Sequence, residues 1–287
     1  MSLTYYAPST LSQAIQYMVQ NNAKVIAGGT DLLVQNYEKL DTLDGLMDIG
    51  KITELSRMET GDVVRIGALV THGEIAEHPW LRQHVPVLCQ GAEAVGAPQI
   101  RHRGTLGGNL ANASPAADIA PPLIVLEAQV ELVGPQGDKA IPLEHFFTGP
   151  GSTVLEPGQI ITGVRFSAPT AQQGGCYLKL GKRKAMAIAT ASIAVQVTVQ
   201  DIELTDLRIC MGSVAPLPLR AVKTEAILRG QKLDALDLVA AQAQLRQEIA
   251  PIDDIRGTGQ YRRQVAGVIL QRALLQAIQN AGVDLDG

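Results

Sequence analysis

Two segments of the sequence combine glycine with short polar residues, a composition suited to binding an anion. The first is Gly28-Gly29-Thr30-Asp31, and the second covers residues 104–112, GTLGGNLAN. Glycine reaches backbone conformations that a Cβ atom forbids. A turn rich in glycine can therefore direct several backbone N–H groups at one phosphate. Taken alone, the second segment is equally consistent with an ordinary surface loop.

The residues around the first segment predict a strand, a turn and a helix, in that order. Residues 24–27 read as a short buried strand, residues 28–30 turn the chain, and residues 31–40 have a helical pattern. This arrangement commonly presents free N–H groups to a phosphate. The glycine spacing is not GxGxxG, so the sequence does not predict a Rossmann dinucleotide site.

The second segment lies within residues 99–122, where glycines and prolines disfavour a regular helix or strand. A structureless stretch of this length is uncommon inside a compact domain and is often functional. Residues 118–127 predict a helix with Pro121-Pro122 in its first turn, where a missing N–H costs little. Judged by position alone, Asp118 is best interpreted as the N-cap of this helix.

The remaining pattern predicts about two domains in 287 residues. Residues 1–55 predict a small parallel α/β unit, and residues 168–175 are the best candidate linker. Residues 200–201 or residues 203–206 offer a hairpin connection in the C-terminal part. The predicted strands are 45–49, 63–66, 129–133, 159–166, 176–180, 189–199 and 202–211, and the predicted helices are 11–19, 80–95, 219–229, 234–248 and 258–280.

The bulk composition excludes several classes of protein. The net charge is −4, no basic run suggests a nucleic-acid footprint, and only 3% of residues are aromatic. No apolar run is long enough to span a membrane, and the N-terminus lacks a signal-peptide pattern. We therefore expect a cytoplasmic protein that binds neither nucleic acid nor membrane.

The cysteines and histidines predict no metal site. Cys89, Cys176 and Cys210 are far apart and form no CxxC pair, so neither a disulfide framework nor an iron–sulfur cluster is expected. We expect these thiols to be buried. The five histidines show neither HxH nor HExxH spacing. No residue is predicted to attack a substrate, and no catalytic residue is assigned.

The order of residues in the two segments resembles that of one protein family. Residues 101–123 follow RxRGTxGGNLxxxSPxxDxxPxL, and residues 24–31 read KVIAGGTD. Both resemble the FAD-binding segments of the molybdenum hydroxylase flavoproteins, which are the FAD subunits or domains of xanthine dehydrogenase, carbon monoxide dehydrogenase and their relatives. The resemblance covers the whole chain and is clearest over residues 1–166.

This resemblance implies an α+β fold. It implies a two-part FAD-binding domain of the PCMH type over residues 1–167, with a small parallel α/β unit to about residue 55 and a mixed or antiparallel sheet unit over residues 56–167. A C-terminal domain, an antiparallel sheet with helices, would follow over residues 174–287.

The resemblance also implies non-covalent FAD and the residues that hold it. Residues 25–31 would wrap the pyrophosphate from one side, and Thr105, Gly108 and Asn109 would approach from the other. Asp118 would accept hydrogen bonds from FAD hydroxyls, as an ionised carboxylate can. His102 could tether a flavin, as in distant relatives of the fold, but this family binds FAD non-covalently. The implied FAD-binding residues are Lys24, Val25, Ile26, Ala27, Gly28, Gly29, Thr30, Asp31, Gly96, Thr105, Gly108, Asn109, Asn112, Ser114, Asp118, Ile160, Ile161, Lys179 and Arg183.

Two of these residues, Lys179 and Arg183, belong to a basic run that would by itself indicate a solvated surface. By resemblance they face the flavin from the second domain, where a cation would favour the anionic reduced form. The sequence departs from the family at Ala187, where many relatives have Asp. It also departs at Val95, where many have an aromatic residue beside the flavin.

The resemblance implies the FAD subunit of a multi-subunit molybdenum hydroxylase. Electrons would pass from a molybdenum cofactor on a large subunit, through [2Fe–2S] clusters on a small subunit, to FAD on this chain and then to NAD or another acceptor. Two alternatives stay open: a stand-alone FAD-dependent oxidoreductase of the same fold, and a scaffold or sensor without redox function. The substrate is not predicted, because it would bind to another chain.

Overall fold

The first part of the chain is a small parallel α/β unit, as predicted. The computed structural model describes residues 4–21, 23–35, 45–183 and 186–283. Strands β1 (Thr4–Tyr6), β2 (Ala23–Ile26) and β3 (Gly45–Asp48) form a parallel sheet in the order β1-β3-β2. Helix α1 (Leu11–Gln20) begins where the Thr10 side chain accepts a hydrogen bond from Gln13 N. Strand β1 was not predicted.

The predicted helix at residues 31–40 is described only in part. Helix α2 covers Leu32–Gln35, and residues 36–44 lie outside the described residues. The unit has its own hydrophobic core, in which Ala14 and Met47 pack with Ile49. Leu69 and Ile160 of the following unit belong to the same core, so the two units are packed directly together.

A five-stranded antiparallel sheet forms the centre of the second unit. Its strands have the order β4-β5-β10-β6-β7. Strands β8 and β9 form a separate two-stranded antiparallel sheet. The strands are β4 (Met58–Glu59), β5 (Val63–Gly67), β6 (Gln129–Gly134), β7 (Gly137–Pro142), β8 (Phe147–Gly149), β9 (Ser152–Thr153) and β10 (Ile160–Ser167).

Six short helices lie between β5 and β6. The predicted helix at residues 80–95 is interrupted at Pro86, as its sequence indicates: one helix ends before Val85 and Pro86 begins a new helix. The helices are α3 (His72–Glu77), α4 (Pro79–His84), α5 (Pro86–Ala94), α6 (Pro98–Arg101), α7 (Leu106–Asn112) and α8 (Ala120–Val125).

The expectation that glycines and prolines keep residues 99–122 from forming regular structure was wrong for α6 and α7, whereas the helix predicted at residues 118–127 is present as α8. Three of the six helices, α6 to α8, fall in or at the edge of this stretch. Prolines stand in the first turn of α6 and α8, where they remove no helical hydrogen bond. Thr105 caps α7 by accepting a hydrogen bond from Gly108 N, and Ala113 ends it in a left-handed conformation, φ 47°. Composition underestimated helix here because capping and burial outweigh the intrinsic cost of glycine.

The C-terminal part is a four-stranded antiparallel sheet covered by helices. Its order is β11-β12-β13-β14, and residues 201–202 make the β12–β13 connection, so the first of the two predicted hairpin sites is correct. Strand β11 begins at Gln173, which shortens the predicted linker. The elements are β11 (Gln173–Leu180), β12 (Ala191–Gln200), β13 (Glu203–Gly212), β14 (Leu219–Arg220), α9 (Val222–Leu228), α10 (Leu238–Glu248) and α11 (Gly259–Asn280).

The C-terminal sheet also packs against the helices of the second unit. Tyr177, Ala194 and Cys210 project into the same hydrophobic cluster as residues of α5 and α8. The opposite face of the sheet is covered by α11. All three cysteines are buried and free, as expected. Among the described residues, no helix combines the length and apolar character that crossing a membrane requires.

Gly174 allows β11 to lie directly against the backbone of α11. A Cβ atom at Gly174 would lie 2.0 Å from Ala277 O and 2.3 Å from Ala281 N. Gly174→Ala should therefore lower the free energy of unfolding by about 1–3 kcal/mol, as overpacking does. The urea unfolding midpoint measures this change.

Gly149→Ala is the matched control for Gly174→Ala, because the nearest atom to its Cβ would be Ser152 Cβ at 3.8 Å. The control should leave the midpoint close to that of the unmodified protein. Equal midpoints for the two variants would contradict the packing argument.

Candidate functional site

The two glycine-containing segments meet at a cavity of about 960 Å³. The turn after β2 forms one wall and α7 forms another, and the end of α1 and residues 155–159 also line the cavity. Twelve of the implied cofactor residues line the cavity: Lys24, Val25, Ile26, Ala27, Gly28, Gly29, Thr30, Asp31, Thr105, Gly108, Asn109 and Asn112.

Gly28 permits direct backbone contact between the two segments. A Cβ atom at Gly28 would lie 1.8 Å from the carbonyl oxygen of Arg103. Because the clash would be with backbone, no side-chain movement could relieve it. Gly29 has φ +75°, a left-handed conformation that costs glycine little. Together these two glycines fix the path of the turn against the start of the second segment.

The N–H groups of the first turn are available, as predicted. Among the hydrogen bonds of the described residues, none uses the N–H group of Gly29, Thr30 or Asp31. These groups belong to residues that line the cavity. Successive backbone N–H groups of this kind form a site for an anion. Burial raises the pKa of Asp31, the carboxyl group at the end of the turn.

The second segment differs from the prediction, because its N–H groups are already used. Leu106 N donates to Val70 O at 2.9 Å, and Gly107 N donates to Ala68 O at 2.8 Å. Gly108 N donates to the Thr105 hydroxyl at 3.1 Å. The prediction that both glycine turns offer free N–H groups is therefore wrong for this segment. Its contribution to the cavity wall comes instead from the side chains of α7, including Asn109.

Two buried polar atoms near the cavity have no hydrogen-bond partner within the described part of the chain. They are Asn109 Oδ1 and His72 Nδ1, and both residues line the cavity. Buried polar groups are normally satisfied, so each such atom requires an explanation. A bound ligand with hydrogen-bonding groups provides one.

His72 was not predicted as a site residue. It is the first residue of α3, its N–H donates to Gly104 O at 3.0 Å, and its ring lies against Gly104. Burial, with a smaller effect from the Arg101 charge, lowers the pKa of His72 from 6.5 to about 4. Its closeness to the second segment exists only in the folded chain, because 32 residues separate His72 from Gly104 in the sequence.

Asp118 and Lys179 form a buried ion pair. Lys179 Nζ lies 2.6 Å from Asp118 Oδ2 and donates a second hydrogen bond to Ala94 O at 2.8 Å. The Tyr177 hydroxyl donates to Asp118 Oδ1 at 2.6 Å. Burial raises the pKa of Asp118, and the opposing effects of Lys179 and Tyr177 are smaller. Asp118 does not cap α8: its N-cap is Ile119, without a side-chain hydrogen bond.

Five further implied residues lie outside the cavity lining. Gly96 follows Val95, which does line it, and has φ +47°. Ile160 and Ile161 are core residues of β10. Ser114 Oγ accepts a hydrogen bond from Ala116 N at 3.3 Å, and Arg183 donates to Met186 O from an exposed loop. The Lys179–Arg183 pair is thus divided between a buried strand and the surface.

The cavity has the properties that FAD requires. Its volume lies at the upper end of the range for ligand sites. It offers unused N–H groups for a pyrophosphate, the Lys24 cation at its edge, and unsatisfied polar atoms at Asn109 and His72. The residues present therefore fit the group. A two-part α+β fold with such a cavity between its two glycine-containing segments points to a flavin-binding protein.

Comparison with known proteins identifies the family. Residues 1–169 match the FAD binding domain in molybdopterin dehydrogenase, and residues 176–277 match the CO dehydrogenase flavoprotein C-terminal domain. The chain therefore belongs to the FAD-binding subunits of the molybdopterin dehydrogenases. It is an oxidoreductase flavoprotein, and the predicted α+β fold is confirmed.

Relatives match over nearly the whole chain. A putative xanthine dehydrogenase FAD-binding subunit of Escherichia coli (strain K12) is 30% identical over 97% of both chains. The carbon monoxide dehydrogenase medium chain of Afipia carboxidovorans is 33% identical over 96% of both. A solved structure of carbon monoxide dehydrogenase from Hydrogenophaga pseudoflava superposes with a TM-score of 0.92 at 33% identity, covering 98% of both chains.

The buried His72 should make stability depend on pH. Its pKa is about 4 in the folded chain and 6.5 ordinarily, so the unfolded chain binds the proton first as pH falls. The contribution of neutral His72 to the free energy of unfolding is fully present above pH 6.5. It is lost as the pH falls from 6.5 to about 4, by up to about 3 kcal/mol in total. Urea unfolding of the unmodified protein and of His72→Gln across this range measures the difference.

The exposed His145 provides the control for this prediction. His145→Gln should follow the pH dependence of the unmodified protein, whereas His72→Gln should show a shallower one. Identical slopes for all three proteins would exclude a buried neutral His72.

The Asp118–Lys179 pair should show strong energetic coupling. Lys179→Met leaves a buried carboxylate without its opposite charge and should cost about 3–5 kcal/mol. Adding Asp118→Asn removes that charge and should recover part of the loss. Chemical unfolding of the four proteins of this cycle gives the coupling energy, and strictly additive effects would show that the pair is not coupled.

Proposed function

We propose that this chain is the FAD-binding electron-transfer subunit of a multi-subunit molybdenum hydroxylase. In this proposal the chain receives electrons from [2Fe–2S] clusters on a partner subunit and passes them to NAD or another acceptor. The observation that supports it most directly is the cavity between the two segments, where three unused N–H groups and two unpartnered polar atoms meet. The flavin, when bound, supplies the redox chemistry.

The chain's own residues bind and orient the cofactor in this proposal. The N–H groups of Gly29, Thr30 and Asp31 hold the pyrophosphate, since an anion needs several donors at close range. Asn109 Oδ1 has no donor within the described chain and would accept one from FAD. Lys179 acts from the second domain: it pairs with Asp118 of the first domain and donates to Ala94 O, which holds the chain before Val95, a residue of the cavity wall.

The remaining implied residues are proposed in supporting positions. Thr105 and Gly108 stabilise the start of α7 through their mutual hydrogen bond. Gly96, Ser114, Ile160, Ile161 and Arg183 stay proposals as FAD-binding residues. The boundaries of the two domains, residues 1–167 and 174–287, are likewise proposed.

The partners follow from the same reasoning. Relatives at about 30% identity are called medium chains or medium subunits, which supports placement of this chain in a heteromeric complex. Burial raises the pKa of Cys176 to about 11, which disfavours the thiolate that a cluster ligand needs. We therefore propose that the molybdenum cofactor and the iron–sulfur clusters lie on large and small partner subunits, in a cytoplasmic complex.

Gly29→Val tests whether the turn binds FAD. A β-branched residue is strongly disfavoured at φ +75°, so the turn should relax and misdirect its N–H groups. We expect FAD to bind at least about tenfold more weakly, which corresponds to about 1.4 kcal/mol. Flavin absorbance of the purified protein and titration of the flavin-depleted protein with FAD measure this effect.

Gly137→Val is the matched control, because Gly137 has φ +95° in the β6–β7 hairpin and is not among the residues that line the cavity. It should suffer a similar conformational cost and keep its FAD affinity. Equal FAD affinity in the two variants, or an unmodified chain purified without any flavin, would count against the proposal.

A further inference from the structure

The connection between α7 and α8, residues 113–118, borders the candidate site. It begins directly after Asn112, which lines the cavity. Its first carbonyl oxygen, Ala113 O, accepts a hydrogen bond at 3.0 Å from the N–H group of Gly151, another residue of the cavity lining. Its last residue, Asp118, belongs to the ion pair described above. The path of this connection therefore affects the cavity lining at both Asn112 and Gly151.

A backbone hydrogen bond attaches the middle of this connection to the C-terminal sheet. Ser213, the residue directly after β13, donates its N–H group to Pro115 O at 2.9 Å. Ser213 is buried and has φ +63°, a left-handed conformation that costs a residue with a Cβ atom free energy. Backbone strain of this kind persists only where the surrounding structure enforces it. A neighbouring group must therefore hold Ser213 in the conformation that directs its N–H group at Pro115.

The buried guanidinium of Arg262 is that group. Arg262 lies in the first turn of α11 and is 1% exposed. Its Nη1 atom donates to Ser213 O at 2.6 Å and to Thr190 O, directly before β12, at 2.8 Å. Its Nη2 atom donates to Asp254 Oδ1 at 2.6 Å, which pairs the buried charge. Hydrogen bonds from a charged donor are stronger than neutral ones, so the Ser213 carbonyl is firmly held.

Two atoms of this cluster have no hydrogen-bond partner in the described part of the chain. They are Arg262 Nε and Ser213 Oγ, and both are buried. An ordinary protein core satisfies its buried polar atoms and avoids left-handed residues with side chains. Unsatisfied atoms and backbone strain in one cluster are more typical of a functional site. The cluster thus combines a cost in stability with a fixed position for the Ser213 N–H group.

We propose that Arg262 is a positioning residue for FAD. By holding Ser213 O, it directs the Ser213 N–H group at Pro115 O and thereby fixes the connection that carries Asn112 and Ala113 beside the cavity. Arg262 itself is not among the residues that line the cavity. The inference rests on the proposed function, in which this cavity holds FAD.

Arg262→Lys in the full-length chain tests this role. Lysine keeps the charge but lacks the planar fork with which Arg262 reaches three acceptors. We expect the flavin-depleted variant to bind FAD about tenfold more weakly, as measured by fluorescence titration at a temperature where circular dichroism shows it folded. Arg263→Lys is the matched control, because Arg263 donates only to Arg246 O and Ile249 O of the C-terminal part. The control should keep the FAD affinity of the unmodified chain.

Ser213→Val disturbs the same contact without altering a buried charge. A β-branched residue is strongly disfavoured at φ +63°, so the N–H group should turn away from Pro115 O and FAD affinity should fall in the same way. Asp201→Val is its matched control, because Asp201 has φ +47° in the β12–β13 turn and does not line the cavity. This second pair gives the answer if Arg262→Lys does not fold.

Amide hydrogen exchange provides a readout that a purely structural role of Arg262 would not change. Energetic coupling between two places is reciprocal, so FAD should slow exchange in the peptide that contains Ser213 of the unmodified chain. With FAD saturating both proteins, this slowing should be absent from Arg262→Lys. Slowing at residues 29–31, which line the cavity directly, should persist in both proteins.

Unchanged FAD affinity in folded Arg262→Lys or in Ser213→Val would overturn the inference and leave Arg262 a purely structural role. Equal weakening in Arg263→Lys or Asp201→Val would also overturn it, because the effect would then be general destabilisation. The Gly29→Val variant separates the two proposals. Weaker FAD binding in Gly29→Val with unchanged binding in Arg262→Lys would remove this inference alone, whereas an unmodified chain that binds no FAD would remove the proposed function as well.

Discussion

The backbone contact between Gly28 and the carbonyl of Arg103 is the constraint on which the site depends. A Cβ atom at Gly28 would lie 1.8 Å from that oxygen, so the two segments can approach only if no side chain intervenes. The contact joins the turn after β2 to the chain that leads into α7. Without it, the two segments that line the cavity could not pack directly against each other.

The two segments then contribute in different chemical ways. The first turn keeps its N–H groups unused, because Gly29 takes a left-handed conformation and no strand or helix consumes them. The second uses its N–H groups to attach α7 to the chain before α3 and to cap itself. One segment therefore provides donors to a ligand, while the other provides a rigid wall with side-chain groups. This division suits a cofactor that carries a pyrophosphate at one place and hydroxyl groups at others.

The buried Asp118–Lys179 pair makes the C-terminal sheet part of the site. Both charged groups have left water, a cost that is offset by short hydrogen bonds to each other, to Tyr177 and to Ala94 O. A polar cluster of this kind fixes one relative position of β11 and α8, because any shift would leave a buried charge unpaired. The position of Val95 in the cavity wall therefore depends on how the C-terminal sheet packs against the first domain.

The sequence by itself determined the family, the α+β fold and most of the cavity. Its two glycine-containing segments are local patterns, and twelve of the residues they and the resemblance implied line one cavity. Only the tertiary structure decided how those residues are used. It assigned the second segment's N–H groups to internal bonds, brought His72 to Gly104, separated Lys179 from Arg183, and turned Asp118 from an expected cap into half of an ion pair. Each outcome depends on which distant group a donor or charge meets after folding, and local sequence patterns do not contain that information.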